Sequence, residues 1–373
     1  MTSRVFSAAD HGFMARALRL AESGLYTTTP NPRVGCVLVH GGQVVGEGWH
    51  RRAGEAHAEV NALRAAGDKA RGATAYVTLE PCSHHGRTPP CADALLAAGV
   101  ARVVAAMRDP NPLVAGQGLA RLRDANIRSE CGLLEDAARE LNLGFVARMT
   151  RNRPWLRLKL AASLDGKTAL HNGHSQWLTG PAARRDGHRW RARACAILTG
   201  IGTVRHDDPQ LNVRDLDPRQ RASDVRQPLK VIVDSRLELS ADARLLREGR
   251  VLVATTARGH ARSRIADLTG RGAEILQLPD VDGRVDLSAL LRVLAERGIN
   301  EIHAEAGHGL SGTLLARGLV DELLLYLAPC LIGDKARGMF DLPALESLAG
   351  KRVLSIRDLR SLGNDLRVVA RFN

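Results

Sequence analysis

The chain lacks an apolar run that could cross a membrane, since no stretch approaches the ~20 consecutive apolar residues of a transmembrane helix. Its opening residues, MTSRVFSAADHGF, lack the apolar segment of a secretory signal peptide. Cysteine is sparse, with 6 in 373 residues, so no disulfide framework is indicated. These absences argue against the membrane-spanning and disulfide-rich secreted classes, and we expect a cytoplasmic protein that has no membrane partner.

Aromatic residues make up only 3% of the chain, which is too few for a surface on which nucleic-acid bases stack. The net charge of +13 nevertheless invites a nucleic-acid interpretation. Lysine is scarce, however, so nearly all of the positive charge is arginine, and the arginines are spread along the chain without a compact basic block. We therefore expect no nucleic-acid partner, although a positive field would favour a phosphorylated small substrate.

What the chain does contain is an alternation of Val/Leu-rich runs with Ala/Leu/Arg-rich helical runs, which indicates the α/β class. A length of 373 residues suggests two domains. The pattern breaks around RMTRNRPW, so we place the boundary near Arg148–Arg153 and expect domains 1–150 and 151–373. A helix near Leu133–Ala147 is expected to close the first domain. Strands of the second domain are predicted at Ala196–Thr199, Lys230–Asp234, Val251–Thr255, Glu301–Glu305 and Glu322–Ala328.

Two short segments of the first domain carry residues that bind metals. HAEVNALRAA places His57 and Glu59 two positions apart, and PCSHHGRTPPC follows with Cys82 and Cys91. On a helix His57 and Glu59 would be about 200° apart, so a site that uses both must lie at the helix start. Zinc takes imidazole nitrogen and thiolate sulfur, and a catalytic zinc has three protein ligands and leaves a fourth position to water. The pattern predicts one zinc ion, bound by His57, Cys82 and Cys91.

Glu59 is the remaining polar group of this motif, and a carboxylate beside zinc-bound water can shuttle its proton. Nucleobase deaminases use this arrangement, with an H-x-E…P-C-x-x-C signature. Here HAE and PC match, but eight residues separate the cysteines instead of two. A capped helix beside two buried thiols is the alternative interpretation. The occurrence of HAE, PC and the second cysteine in this order favours a zinc deaminase.

The second domain contains a glycine-rich segment and several polar residues near predicted strand ends. EIHAEAGHGLSGTLLARG places Gly307, Gly309 and Gly312 between a predicted strand and a predicted helix, where backbone N–H groups can approach phosphate. The spacing matches G-x-G-x-x-G, which is weak taken alone, and a plain glycine-rich turn is about as well supported. We interpret it as a dinucleotide-binding loop in a fold other than the Rossmann fold. A ligand cleft is indicated by Lys159, Asp165, Ser175, Trp177, Arg191, Thr203, Asp207, Arg214 and Glu305.

Motifs from both halves together resemble the family of bifunctional riboflavin-biosynthesis deaminase/reductases. They are HAEVNAL and TLEPCSHHGRTPPCADAL in the first half, and SLDGKTA, SQWLTG, ILTGIGTVRHDDPQLNVR and EAGHGLSGTLLARGLVDELLLYLAP in the second. The resemblance runs from about residue 8 to the C-terminus, and the family shows the same long cysteine spacing. Ala92 departs from many relatives, which have a further Cys there, but that residue need not be a ligand. The resemblance implies a cytidine-deaminase-like α/β/α domain followed by a dihydrofolate-reductase-like α/β domain.

The reactions that the resemblance implies form a two-step sequence on a phosphorylated pyrimidine. The first domain would hydrolyse the 2-amino group of 2,5-diamino-6-ribosylamino-4(3H)-pyrimidinone 5′-phosphate, with Glu59 as the proton shuttle. The second domain would use NADPH to reduce the ribosyl side chain to ribityl, which gives 5-amino-6-ribitylamino-uracil 5′-phosphate. Lys159 and Asp207 would act near the hydride acceptor.

The resemblance also assigns binding residues by position. In the deaminase, the residues that contact the pyrimidine would be Asn31, His50 and His84. In the reductase, the residues that contact NADP would be Ala161, Trp177, Thr203, Asp207, Ser235 and the segment Gly307, His308, Gly309, Leu310, Ser311, Gly312 and Thr313. The residues that contact the reductase substrate would be Ser175, Arg191, Leu211, Arg214 and Glu305.

The run VIVDSRLEL predicts a preference for NADPH over NADH. A β-rich run ends at Asp234 and is followed by Ser235 and Arg236, whose hydroxyl and guanidinium suit a 2′-phosphate. Arg236 could equally be a solvated turn residue, whereas the family resemblance supports Ser235 independently.

Two other classes remain open at this point. A tRNA adenosine deaminase would use the same zinc chemistry on a flipped base, but it would leave the residues after about 150 unexplained. A nucleic-acid-binding protein with a structural zinc would close the site with a fourth ligand, which His84 or His85 could supply. We also expect a homodimer, because a second domain of this kind often pairs.

Overall fold

The computed structural model describes residues 6–83, 89–112, 114–175, 177–216, 225–256 and 259–372. The chain divides into two compact units, Met1–Asn152 and Arg153–Asn373. Both units combine helices with sheets, which confirms the predicted α/β class. In the part of the chain that the structure describes, every helix is too short or too polar to span a lipid bilayer.

The first unit is a mixed sheet with helices packed against it. The sheet order is β2-β1-β3-β4-β5; β1 pairs antiparallel with β2 and β3, and β3, β4 and β5 run parallel. The elements are α1 (Ala8–Glu22), β1 (Gly35–His40), β2 (Gln43–Trp49), α2 (Ala58–Ala66), β3 (Thr74–Val77), α3 (Cys91–Ala97), β4 (Arg102–Ala105), α4 (Gln117–Asp124), β5 (Arg128–Cys131), α5 (Glu135–Leu141) and α6 (Leu143–Arg151).

Two glycines of β2 let α2 pack directly on the sheet. A Cβ at Gly46 would lie 2.3 Å from the carbonyl oxygen of Ala62, and one at Gly48 would lie 2.5 Å from that of Ala58. Real Cβ atoms do not approach backbone this closely, so only glycine allows the observed separation of strand and helix. Because α2 carries the predicted metal and proton-transfer residues, this contact fixes their height above the sheet.

The helix predicted near Leu133–Ala147 is wrong in one respect, because the chain forms two helices there, α5 and α6, separated at Asn142. The Asn142 side chain accepts from the backbone N–H of Arg33 over 2.8 Å and donates to the carbonyl of the same residue over 2.9 Å. An asparagine that bridges a distant backbone in this way competes with continued helix. Asn142 is 2% exposed, so this bridge lies in the interior. There its two hydrogen bonds to Arg33 replace the helical bonds that are lost at the break.

The second unit is built on a sheet in the order β11-β10-β9-β8-β14-β6-β15-β18-β17. The first seven strands in this order run parallel, and β18 and β17 form an antiparallel edge. The elements are β6 (Trp155–Ser163), β7 (Lys167–Ala169), α7 (Pro181–Arg193), β8 (Ala196–Gly200), α8 (Ile201–Asp207), β9 (Leu229–Val233), β10 (Val251–Thr256), α9 (Arg262–Gly270), β11 (Ala273–Leu278), β12 (Asp280–Val281), β13 (Arg284–Val285), α10 (Leu287–Glu296), β14 (Glu301–Ala304), α11 (His308–Ala316), β15 (Glu322–Ala328), β16 (Arg337–Gly338), β17 (Leu354–Leu362) and β18 (Asp365–Phe372).

The parallel strands place several predicted site residues at one edge of this sheet. Strands β8, β9 and β14 end at Gly200, Val233 and Ala304, and the chain after each of them carries predicted ligand-binding residues. In open α/β sheets the ligand cleft lies outside the carboxyl ends of the strands. The sheet therefore gathers segments that lie more than a hundred residues apart in the sequence.

The predicted loop at Gly307–Thr313 is wrong, because helix α11 begins at His308 and Gly307 is its N-cap. Gly309 and Gly312 are therefore helical residues. A Cβ at Gly312 would lie 2.0 Å from the carbonyl oxygen of Asp341, so this glycine serves close packing. The three glycines of the G-x-G-x-x-G spacing thus have different roles: Gly307 caps the helix, Gly309 is a helical residue, and Gly312 allows close packing.

Candidate functional site

Three side chains that can bind a metal converge in the first unit. His57 is the N-cap of α2 in an extended conformation, Cys91 is the first residue of α3, and Cys82 lies between them in the chain, after β3. One ligand atom from each lies within 4.8 Å of the others. His57 Nδ1 is 3.2 Å from Cys91 Sγ and 3.7 Å from Cys82 Sγ. One imidazole and two thiols at these separations fit a zinc ion.

The surroundings of Cys82 favour its thiolate form. Hydrogen bonds, from Cys91 above all and also from His57, lower the pKa of Cys82, whereas the contact with Cys82 and burial raise the pKa of Cys91. One of the donors is the backbone N–H of Cys91 at the start of α3, which is 3.2 Å from Cys82 Sγ. Thiolate is the form in which cysteine binds zinc, so the donor set fits the metal in its chemistry as well as its spacing.

Glu59 lies in the first turn of α2 and is 3% exposed. Burial raises the pKa of its carboxyl to about 7. Together with His57 and Cys82 it lines a cavity of about 530 Å³. Because His57 precedes the first helical residue, its direction is not set by the helical angle, and both side chains reach the same cavity from the helix start.

Asn31 and His50, two of the residues assigned to the pyrimidine, line this cavity and contact each other. His50 Nδ1 is 3.2 Å from the carbonyl oxygen of Ala56, and Nε2 is 3.0 Å from Asn31 Nδ2. Burial lowers the pKa of His50, which favours the neutral ring. A neutral ring donates from Nδ1 to the carbonyl, so Nε2 accepts from the amide of Asn31. His84, the third of these residues, lies outside the described residues.

Sequence reasoning missed other residues that line the cavity. Asp109, Asn111 and Val114 follow β4, and Phe145 and Met149 come from α6. The signal for the first group was available, since DPNP is a polar turn shortly after the buried strand β4. The α6 residues gave no signal, because their contact with the cavity depends on the break at Asn142.

In the second unit, several residues assigned to the nucleotide line one cleft of about 470 Å³. Ser235 borders it after β9, and Gly309, Leu310 and Thr313 border it from α11. The Ser235 hydroxyl accepts from the backbone N–H of Val285 over 3.1 Å, which ties the β12–β13 hairpin to this wall. Segments that the sequence keeps far apart thus form a single elongated cleft at the sheet edge.

Three arginines and three carboxylates border this cleft. They are Arg236, Arg284, Arg317, Asp234, Glu238 and Asp282. The Arg236 side chain is 80% exposed, and its Nε lies 2.9 Å from Glu238 Oε1. Arg236 is therefore both a cleft residue and a solvated one.

Two of the residues assigned to the reductase substrate, Arg191 and Glu305, form an ion pair. Arg191 Nη2 is 2.8 Å from Glu305 Oε2, and Arg191 Nη1 donates to the carbonyl of Asn212 over 3.1 Å. Burial alone would raise the pKa of Glu305, but Arg191 outweighs it and holds that pKa well below its usual range. Burial lowers the pKa of the Lys159 amine, an effect that the charge of Glu305 opposes.

Arg214 and Leu211 belong to a short segment whose backbone is bound by the side chains of Gln227 and His188. Sequence reasoning missed both of these residues. Gln227 makes two hydrogen bonds to the backbone of Val213, accepting over 2.8 Å and donating over 3.1 Å. His188 Nδ1 accepts from the backbone N–H of Arg214 over 3.3 Å. Burial, together with the charges of Arg191 and Arg214, lowers the pKa of His188 to about 4, so the ring is neutral and can accept.

The other assigned residues are more scattered. Thr203 accepts from the backbone N–H of Gly307 over 3.1 Å, which joins α8 to the cap of α11. Ser311 is fully buried and donates to the carbonyl of Ala306, so its hydroxyl is directed into the fold. Trp177 is 72% exposed, with the Arg184 guanidinium 4.9 Å from its ring centre. The remaining four are half-buried Ala161 on β6, half-buried Ser175 before α7, and exposed Asp207 and His308 at the end of α8 and the start of α11.

Both units match known protein families. Residues 7–107 match the family described as the cytidine and deoxycytidylate deaminase zinc-binding region, and residues 154–368 match the RibD C-terminal domain. The riboflavin biosynthesis protein RibD of Escherichia coli (strain K12) is 51% identical over 364 residues, which cover 96% of this chain and 98% of that protein. That of Haemophilus influenzae is 48% identical over 376 residues, which cover 97% of each.

Solved structures show the same similarity over the whole chain. Acinetobacter baumannii RibD (form 1) is 45% identical with a TM-score of 0.91, covering 98% of this chain and 99% of that one. A Thermotoga maritima protein described as a diaminohydroxyphosphoribosylaminopyrimidine deaminase/5-amino-6-(5-phosphoribosylamino)uracil reductase is 32% identical with a TM-score of 0.84, at the same coverage.

Proposed function

This chain belongs to the RibD family of bifunctional deaminase/reductases of riboflavin biosynthesis, and we propose that its first unit performs the deamination and its second the reduction. The observation that carries this division is the convergence of His57, Cys82 and Cys91 within 4.8 Å beside the cavity that Glu59 lines. The substrate would be the diaminopyrimidine ribosyl phosphate that the name of the Thermotoga relative implies.

In the deaminase, His57, Cys82 and Cys91 would hold one zinc ion, and the chemistry that zinc supplies when bound is Lewis-acid activation of water. Glu59 accepts a proton from the attacking water and delivers it to the leaving nitrogen. The C2 amino group of the pyrimidine then leaves as ammonia, and a carbonyl oxygen replaces it.

The hydrogen-bond pattern around His50 supports a role for Asn31 in orienting the pyrimidine. Because Asn31 donates its amide N–H to His50 Nε2, its amide oxygen is the end that can accept from a ligand. An amino-substituted pyrimidine presents N–H donors at its edge. Asn31 would therefore accept from a ring amino group while His50 fixes the orientation of the amide.

Glu59→Gln tests the deaminase assignment. The amide keeps the shape of the side chain but cannot take up a proton, so deamination is expected to fall by about 10²–10⁴-fold or more. Zinc content should stay near that of the wild type, and reduction of already deaminated substrate should be unchanged. Deamination at nearly the wild-type rate would contradict the proposed role of Glu59.

The reductase requires a reduced nucleotide cofactor, and we propose NADPH in the cleft bordered by Ser235, Gly309 and Thr313. The chemistry that NADPH supplies when bound is a hydride for C1′ of the ribosyl chain. Ser235 and the neighbouring arginines would bind the 2′-phosphate by charge-assisted hydrogen bonds.

The Arg191–Glu305 pair would bind the open sugar chain, and Arg214 would bind its phosphate. Arg214 is about half exposed; its Nη1 donates to Asn212 Oδ1 over 2.8 Å, and its ion pair to Asp215 is long, at 3.9 Å. A half-exposed guanidinium carries five N–H donors, so it can bind a phosphate by charge-assisted hydrogen bonds. Lys159, half-buried near Glu305, would supply the proton that accompanies the hydride, so that the C=N bond of the ring-opened chain becomes an amine.

Two variants separate the proposed reductase roles. Lys159→Met should abolish reduction with the Kd for NADPH unchanged, because only proton supply is removed. Asp207→Asn, at the exposed end of α8, is the comparison variant, since the family resemblance gives it a role in the same reaction. If Lys159→Met reduces the substrate normally and Asp207→Asn does not, Asp207 is the proton donor.

The alternative of a tRNA deaminase is disfavoured because residues 154–368 match a reductase domain. It would leave that whole unit without a function. Deamination of the free pyrimidine nucleotide, with no activity on tRNA, is the result expected of the purified protein.

We also propose that the protein is a homodimer through its β17–β18 edge. Ile356 and Leu359 on β17 are 65% and 59% exposed, and by strand register Leu354 and Leu366 share their face. An exposed apolar face of this kind, on the two strands at the end of the sheet, is typical of a protein interface. A second copy would cover both faces by symmetry.

Ile356→Lys should convert the dimer to a monomer in analytical ultracentrifugation; a wild-type monomer would refute the assembly.

A further inference from the structure

We propose that Glu80 is a positioning residue of the deaminase: it holds residues 109–112 and 114–119, called the segment below, beside the cavity and so sets the affinity for the pyrimidine. This inference rests on the proposed assignment of the cavity to deamination. It concerns a side chain that is neither a metal ligand nor a proton carrier. Glu80 is 4% exposed and lies two residues before Cys82.

The Glu80 carboxylate collects three backbone N–H groups from one segment. Oε2 accepts from Asp109 over 3.1 Å and from Gly116 over 2.9 Å, and Oε1 accepts from Leu119 over 3.1 Å. Although Glu80 also borders the cavity, both of its oxygens are engaged in these bonds. Hydrogen bonds to a charged acceptor are about twice as strong as neutral ones, so this anchor is stronger than an ordinary turn contact.

A second contact presses the same segment onto the chain beside Glu80. A Cβ at Gly118 would lie 1.9 Å from the carbonyl oxygen of Pro81, a separation that only glycine permits. Glu80 therefore contacts the segment through its side chain, and Pro81 contacts it through its backbone carbonyl.

The held segment forms one wall of the cavity. Asp109, Asn111 and Val114 line it, as do His57 and Glu59. The backbone N–H of Asn111 donates to the Asp109 side chain over 2.9 Å. Asp109, which Glu80 holds, therefore helps to fix the position of Asn111. A shift of this wall changes the width of the cavity without moving a metal ligand. The expected consequence is a change in substrate binding.

The arrangement needs a carboxylate, because the donors occupy both oxygens. In Glu80→Gln one of the two terminal atoms becomes an NH₂ group, which must face at least one backbone N–H. Donor then meets donor, and a buried N–H loses its partner. No rotation of the amide avoids this, since Oε1 and Oε2 each have a donor. The isosteric change therefore releases one or two of the three anchors.

The test is steady-state deamination by full-length Glu80→Gln, with zinc content and reductase activity measured on the same preparation. We expect KM for the pyrimidine to rise about 10- to 100-fold, the range for a lost bond to a charged group. The change in kcat should be smaller. Zinc should remain near the wild-type content, and reduction of deaminated substrate should be unchanged.

Glu130→Gln is the matched control, because Glu130 is a buried carboxylate of the same unit that pairs with Arg102 and Arg128 instead of the segment. It should lower stability while leaving KM near the wild-type value. Hydrogen exchange gives a second readout: the amides of Asp109, Gly116 and Leu119 should lose protection in Glu80→Gln. If that variant does not fold, Gly118→Ala displaces the same segment at its contact with Pro81 and should raise KM likewise.

An unchanged KM in Glu80→Gln, or an equal rise in Glu130→Gln, would overturn the positioning role. Loss of zinc in Glu80→Gln would also overturn it, because Glu80 would then serve the metal-binding stretch. If the wild-type protein does not deaminate the pyrimidine at all, the proposed function fails. In that case the exchange rates of the three amides still decide whether Glu80 holds the segment.

Discussion

Substitution of one glycine beneath helix α2 should separate the two activities of the chain. Gly48 lies on β2, and a Cβ there would be 2.5 Å from both the carbonyl oxygen of Ala58 and the backbone nitrogen of Ala62. Non-bonded heavy atoms normally stay at about 3.5 Å, so Gly48→Ala forces α2 away from the strand by about 1 Å. Both obstructing atoms are backbone, and no side-chain rotation can relieve the clash.

The displacement acts on the part of α2 that carries the chemistry. Ala58 and Ala62 flank Glu59 in the first turn, and His57 caps the same turn. A misplacement of 1 Å costs a catalytic group on the order of 10²-fold in rate, and overpacking of this kind destabilises a domain by about 1–3 kcal/mol. We expect Gly48→Ala to lower deamination about 100-fold while the protein remains folded.

Both activities and zinc content would be measured on Gly48→Ala and on Gly12→Ala. Gly12 lies in α1 of the same unit, and a Cβ there meets nothing within 4 Å. Alanine is a better helix former than glycine, so Gly12→Ala should be neutral or stabilising by about 0.5–1 kcal/mol. Reduction should be unchanged in both variants. Wild-type deamination by Gly48→Ala would refute the claim that this contact sets the position of the catalytic turn.

Further predictions concern the metal, the cofactor and the independence of the reductase. Cys82→Ala should bring zinc from near one per chain to near zero in elemental analysis; retained zinc would contradict the ligand set. Ser235→Ala and Arg236→Ala should weaken NADPH binding about 10-fold or more in a fluorescence titration, with NADH nearly unchanged. Equal losses for both cofactors would place the 2′-phosphate elsewhere. Gln227→Ala should raise the reductase KM, and a KM like that of the wild type would mean that the Gln227 contact is dispensable. A fragment of residues 153–373 should reduce deaminated substrate, and dependence of this activity on the first unit would argue against separate sites.

The resemblance to the deaminase/reductase family, drawn from quoted motifs, is confirmed by full-length relatives and by both family matches. Those motifs are informative because the chemistry fixes residue types at short range. A zinc ligand must be His or Cys, and a helix start must bring His57 and Glu59 together. The predicted zinc ligands accordingly lie within 4.8 Å of one another.

The errors arose where distant contacts override local patterns. The sequence predicts one helix where Asn142 breaks it, because the partner backbone is that of Arg33, more than a hundred residues away. It predicts a loop at Gly307–Thr313, where glycine spacing alone could not reveal that Gly312 makes room for Asp341. Glycine permits loop, helix and close packing alike, so only the neighbours of each glycine decide its role.

By itself, the sequence determined the α/β class, the family, and the residue types that can bind zinc and move a proton. These follow from periodicity and from ligand chemistry, which act within a few residues. Only the tertiary structure decided which walls complete the cavities. The carboxylate of Glu80 collects N–H groups from a segment about thirty residues further on, and His188 and Gln227 reach the Arg214 segment from both sides. Such contacts depend on how the strands are ordered in the sheet, and no local pattern encodes that order.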